Sequence, residues 1–267
     1  MATAAPTWRL PPRAILATMV VLAGGLVAWI VTVDRMRGMD AGPGTDLGGL
    51  GWYVGIWVTM MAAMMLPSAA PMILLFSRIS AERERRGQPF VPTWVFVGGY
   101  LAVWTAFGLG AYGLYRAVAS VDHGFLDWDR GGPYVVGGAI AAAGLYELTP
   151  LKSVCLRHCR SPMHYVLGGW RNGWKGALRM GAEHGAYCVG CCWGLMIVLF
   201  AVGVMSLFWM ALVAGVIFAE KITPWGERLT PALALGLVAL GIWIAAAPGT
   251  LPGLRQPDTA PAMKMGR

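Results

Sequence analysis

The residues able to do chemistry are crowded into one part of this chain. All five cysteines lie between Cys155 and Cys192, and three of the four histidines, His158, His164 and His184, share that window. Thiolate and imidazole are ligands for soft and borderline metals such as Cu(I) and Zn(II). The sharpest segment is His184-x-x-x-Cys188-x-x-Cys191-Cys192. Residues three and four apart share a helix face, so His184, Cys188 and Cys191 form one stripe. Cys192 falls at its edge and Met180 one turn earlier. From His184 to Cys191 is about 10 Å along a helix axis, too far for one ion. Either a subset binds with help from another helix, or there are two positions. The competing reading is that cysteine is a small apolar residue suited to membrane cores. The histidine weighs against it, because an ionisable group at membrane depth is costly and marks function.

A second set is thioether. The run Met60-Met61-Ala62-Ala63-Met64-Met65-Leu66-Pro67-Ser68-Ala69-Ala70-Pro71-Met72 places Met61, Met64, Met65, Ser68 and Met72 on one face of a helix. Thioethers ligate Cu(I), and methionine also packs well around a proline bend. A third set is Glu147 followed by Cys155-x-x-His158-Cys159. These three share a face if the chain stays helical beyond Pro150. They would then receive a metal at the cytoplasmic surface; the alternative is a basic loop with incidental thiols. Glu147 taken alone reads rather as a cap or interfacial partner, for example of Lys152, than as a ligand, and Glu220-Lys221 reads as an interfacial ion pair. His123 and His164 carry no partner pattern. No phosphate-binding glycine loop, nucleophile elbow or His-Glu-x-x-His motif is present. Cys188-x-x-Cys191 could be a redox dithiol, but the βαβ setting of such motifs is absent.

The elements that must position these groups are apolar helices. The 267 residues are 57% hydrophobic and 13% charged, about half the charge of a soluble domain. The expected fold is all-α, a polytopic transmembrane bundle of about seven spans in a single membrane domain, residues 1–247. The spans fall near 14–33, 52–77, 93–117, 134–151, 176–202, 205–222 and 230–247, each near the 20 or so residues a bilayer core requires. The fifth and sixth are nearly continuous, with Gly203 as the place to turn, and residues 248–267 form a flexible tail. The first block ends at Asp34-Arg35 without a small-residue cleavage pattern and reads as a retained helix. Net charge is +8; the basic residues sit between apolar blocks, which suits topology and anchoring rather than nucleic acid. A cytoplasmic N-terminus puts Arg78, Arg83, Arg85, Arg86, Lys152, Arg157, Arg160, Arg171 and Lys175 inside, and the acidic stretch of Asp122, Asp127 and Asp129 outside. Gly108-x-Gly110 and Gly137-Gly138 allow close helix packing. In this topology the second and fifth spans run antiparallel. Met65 and Cys188 both lie about 18 Å from the cytoplasmic end, and Met72 and His184 within about 5 Å of each other in depth.

Several of these segments resemble a bacterial family of predicted metal-binding integral membrane proteins. They are Met60 to Ser68, Tyr146-Glu147-Leu148-Thr149-Pro150-Leu151-Lys152, Cys155-Leu156-Arg157-His158-Cys159, His184-Gly185-Ala186-Tyr187-Cys188-Val189-Gly190-Cys191-Cys192-Trp193 and Glu220-Lys221. The resemblance runs from the second span through the sixth. It implies metal binding and fixes neither the metal nor a reaction.

The leading expectation is therefore a multi-pass protein of the bacterial cytoplasmic membrane that binds copper, with zinc as the alternative. The ligands would come from His184, Cys188, Cys191, Cys192, Met61, Met64 and Met65. Met72, Met180, Glu147, Cys155, His158 and Cys159 are further candidates. Two rival readings are a copper-dependent membrane oxidoreductase, or the membrane subunit of one, and a structural membrane subunit without metal. The expected partners are the metal ion, the lipid bilayer and a soluble or membrane protein, with no nucleic acid.

Overall fold

The computed structural model describes residues 12–36, 47–121, 130–202 and 207–247, and among these every regular element is helical. The elements are α1 (Pro12–Met36), α2 (Leu50–Arg85), α3 (Thr93–Val121), α4 (Gly132–Glu147), α5 (Pro150–Arg160), α6 (Pro162–Gly168), α7 (Gly173–Val202), α8 (Leu207–Ile222) and α9 (Gly226–Ala246). The seven expected spans correspond to α1, α2, α3, α4, α7, α8 and α9. Gly203, the acidic stretch around Asp122 and the tail 248–267 lie outside the described residues.

By length and composition five helices can cross a membrane: α1, α2, α3, α7 and α9. The pair α4 and α5, bent by 64° at its break, makes a sixth. Among the described residues the count is five, or six with that pair as one span, roughly in keeping with the expected seven. The helix α8 has 16 residues, about 24 Å, short of a bilayer core. Large apolar side chains, among them Leu16, Met19, Leu26, Trp94, Leu114 and Leu235, face outward.

Two features depart from the sequence expectation. The fourth span ends at Glu147, before the proline. Thr149 then caps α5 by accepting from the Lys152 amide at 3.3 Å, with Pro150 in the first turn, where its missing N–H leaves no helical bond unmade. The helix α2 runs unbroken through Pro67 and Pro71 to Arg85, and the α1 backbone at Gly25 lies over the Pro67 ring.

The site is positioned chiefly by α3 against α7. A Cβ on Gly181 would stand 2.0 Å from the Phe96 carbonyl oxygen, and one on Gly99 2.2 Å from that of Leu178. Only glycine lets these backbones approach so closely. Gly137 makes the same approach to Gly241 between α4 and α9, and Gly108 seats the Trp57 indole. Gly110 and Gly138 meet open space instead. Of the two expected packing pairs, one glycine of each is used.

Candidate metal centre

The close α3–α7 contact carries Tyr100 to α7, where its hydroxyl lies 3.0 Å from Cys188 Sγ. One and two turns of α7 around that point supply the thiols. Cys188, Cys191 and Cys192 are fully buried, and their three sulfurs lie within 4.8 Å of one another. The Cys191 and Cys192 thiols both donate to the Cys188 carbonyl, at 3.2 and 2.8 Å. Helical spacing explains this: each reaches back one turn to an oxygen three or four residues earlier.

A fourth thiol comes from α5. Cys159 Sγ lies 3.8 Å from Cys191 Sγ, far beyond a disulfide bond, and all five cysteines are free. Metal–sulfur bonds of about 2.3 Å put tetrahedral ligand sulfurs about 3.8 Å apart and linear ones about 4.6 Å apart. The observed separations fit that range with small adjustments. The donor set of three or four thiols is soft and suits Cu(I) or Zn(II).

His184 stands one turn from Cys188 but is not among the three mutually close sulfurs. It is buried and stacks with Phe96 and Tyr100, with ring centroids at 6.1 and 5.5 Å. Its Nδ1 has no hydrogen-bond partner. A buried imidazole nitrogen left unpaired is unusual, and is what a ligand without its ion would show. Met180 is also buried, but its sulfur accepts the Arg171 amide at 3.4 Å. The stripe foreseen on this helix therefore divides: thiols in one cluster, His184 in an aromatic setting above it, and Met180 turned to the α6–α7 connection.

The Cys155–His158–Cys159 segment does not converge on one point. Only Cys159 meets the cluster. Cys155 packs its sulfur on Gly190. His158 stacks on Tyr187 at 4.1 Å and bonds the Val154 carbonyl through Nδ1 at 2.9 Å. Glu147 bonds the Lys152 ammonium with Oε2, as one of the two sequence readings had it.

Met61, Met64, Met65 and Met72 are buried in the same core as the thiols. Their helix, α2, packs on α1, α3, α6 and α8. It meets α7 through Trp57, which stacks on Phe200 at 5.6 Å.

Sequence reasoning missed the cations. Glu220 and Lys221 are not an interfacial pair: both are buried, and they point to different partners. Consecutive helical residues diverge by about 100°, so they cannot share a face. Lys221 Nζ donates to Cys188 Sγ at 2.9 Å, setting a fixed positive charge against the thiol cluster. Glu220 accepts from Lys152 Nζ at 2.9 Å and from the Thr230 hydroxyl at 3.0 Å. The available signal was an acid and a base in the last turns of a helix otherwise wholly apolar.

Comparison with known proteins gives one family. A model of the copper chaperone family PpoB2 matches residues 54–244, a stretch that holds the methionine run and all five cysteines. No curated protein and no solved structure matches the chain. With most of its length covered, the chain belongs to the PpoB2 copper chaperone family.

Proposed function

We propose that this chain is a multi-pass protein of the bacterial cytoplasmic membrane, N-terminus inside, that holds copper as Cu(I) in a buried thiol site and hands it to a protein acceptor. The observation that carries the reading is the convergence of Cys188, Cys191 and Cys192 sulfurs within 4.8 Å, in a family described as copper chaperones. Outward-facing Leu, Val and Trp side chains support a hydrocarbon surround.

The residues have separable tasks in this reading. Cys188, Cys191 and Cys192 hold the ion, and Cys159 supplies a replacement thiol from a second helix. Exchange of one thiolate for another lets a bound ion move without ever losing all its ligands. His184 and the thioethers of Met61, Met64 and Met65 are weaker ligands for the next position. The Lys221 ammonium offsets the negative charge of a copper–thiolate unit, which an apolar interior would otherwise resist. Copper is cargo here, and the family description favours handling over an oxidoreductase.

Metal content of the purified protein tests this. After loading with Cu(I) or Zn(II), wild type should retain about one copper per chain and the double variant Cys188→Ser/Cys191→Ser almost none. Wild type holding under about one tenth of an ion per chain sinks the proposal. A preference for zinc would replace copper and leave the site standing.

A further inference from the structure

Beside the thiol site lies a second polar cluster for which the metal reading has no use. Glu147 at the end of α4, Lys152 of α5 and Glu220 of α8 pair through Lys152 Nζ, with side chains 0–2% exposed. Thr230 of α9 donates to Glu220 Oε1 at 3.0 Å, and Arg160 bonds the Glu220 carbonyl oxygen. Glu147 Oε1 is left over: among the described residues it is the one buried carboxylate oxygen without a hydrogen-bond partner. Residue Glu147 borders a cavity of about 370 Å³ between the α4–α5 break and the start of α9, lined also by Lys152, Arg157, Glu227 and Thr230.

The charge count is unbalanced. Two ionised carboxylates and one ammonium leave one negative charge in a closed apolar setting, which costs several kcal/mol or more. Among the described residues no other cation is ion-paired with either carboxylate, and Arg160 meets Glu220 only at its backbone carbonyl. Arg157 and Glu227 line the cavity, Glu227 being engaged by Arg160 at 3.8 Å. The charged side chains of α7 and of the turn before it are occupied elsewhere: Arg179 and Arg171 with Glu183, and Lys175 over Trp174. One proton on Glu147 Oε1 balances the charge of the three side chains and gives the unpartnered oxygen a hydrogen.

We propose that Glu147, Lys152 and Glu220 form a buried proton-binding site, bordering this cavity, whose occupancy is coupled to the metal load of the thiol cluster. The coupling rests on the copper reading; the proton site does not. Two helices join the clusters. The helix α5 carries Lys152 and Cys159, and α8 carries Glu220 beside Lys221. When a monovalent ion adds to the Cys188 thiolate, which Lys221 faces, while Cys191 and Cys192 keep the S–H hydrogens they donate to the Cys188 carbonyl, the Lys221 ammonium loses its anionic partner and the interior gains one positive charge. The Glu147 O–H bond then breaks, its electron pair stays on oxygen, and the proton passes to water of the cavity. One cation enters and one leaves.

The test uses the full-length protein in lipid nanodiscs. Infrared difference spectroscopy of the metal-free protein should show a protonated-carboxyl stretch that shifts in D2O. The band should vanish in Glu147→Gln and persist in Cys188→Ser/Cys191→Ser. Its absence from wild type, or its survival in both Glu147→Gln and Glu220→Gln, overturns the proton site. Loading with Ag(I), a redox-inert stand-in for Cu(I), in weak buffer with a pH indicator should release one proton fewer per bound ion in Glu147→Gln. Equal release at equal occupancy overturns the coupling. If Glu147→Gln does not fold, Glu220→Gln takes its place in both arms. A wild type that takes no metal ends the copper reading and the coupling, and the infrared band alone decides the proton site.

Discussion

Lys152→Met is the sharpest perturbation of the interior. The ammonium bonds Glu147 and, at 2.9 Å, Glu220, and none of the three side chains is more than 2% exposed. At an effective dielectric of about 20, a unit pair at that distance attracts by about 6 kcal/mol. Desolvation offsets part of this, and removing one member of a buried pair costs about 3–5 kcal/mol, because its partners stay behind unpaired. Lys152→Met should therefore lower stability by that amount. The remedy separates charge from shape: Lys152→Met with Glu147→Gln and Glu220→Gln has no buried charge to compensate and should recover most of the loss. Unfolding in mixed detergent–SDS micelles, followed by tryptophan fluorescence, measures both. A cost under about 1 kcal/mol for the single variant would show that the three groups are not a buried ion network. A triple variant no better than the single one would show that the loss is packing rather than charge.

Other outcomes follow from the same geometry. Gly181→Ala should force α3 from α7 and lower folded yield, since its Cβ would meet the Phe96 carbonyl at 2.0 Å, whereas Gly138→Ala, facing open space, should be silent in the same assay. Cys159→Ser should weaken Cu(I) retention against a competing chelator by about tenfold or more, the loss of one ligand contribution near 1.4 kcal/mol, while Cys155→Ser, packed on Gly190, should leave retention unchanged. Maleimide should label Cys188, Cys191 and Cys192 slowly in native membranes, because they are 0–1% exposed, and rapidly after SDS; fast native labelling would contradict the burial.

How much of this was legible in the sequence depends on the range of the interaction. Spans, and the shared stripe of His184, Cys188 and Cys191, follow from composition and the helical period, which are local. The break at Glu147 was within reach too, since Thr149-Pro150 is a helix-start signal. What periodicity cannot give is the partner across a helix pair. Cys159 and Cys155 sit four apart on α5, yet one meets Cys191 and the other Gly190. Lys221 read as half of a local pair because its true partner, Cys188, is 33 residues away. The same blindness covered Tyr100, whose approach depends on glycines at Gly99, Gly181 and Gly185 in two helices at once.

Two ring contacts pin α2 against its neighbours: Trp57 on Phe200 of α7, and Phe76 on Phe96, which itself stacks near His184. Along α2 the numbers rise from 57 to 76, while along α7 they fall from 200 to 184, so the two helices run antiparallel. Eight residues in from the first contact, about 12 Å on each helix, stand Met65 and Cys192. By this count Met64 and Met65 stand as far along α2 from the Trp57–Phe200 contact as the thiols do along α7, and Met72 lies one turn from Phe76. The helices α3 and α8 flank both chains at these levels and reach the same atom, Tyr100 and Lys221 each meeting Cys188 Sγ at about 3 Å. Three helices thus meet at Cys188: its own α7, α3 through Tyr100 and α8 through Lys221. In the proposed transfer from thiols to thioethers, the Cys188 sulfur released by the ion would be the one that a hydroxyl and an ammonium already contact.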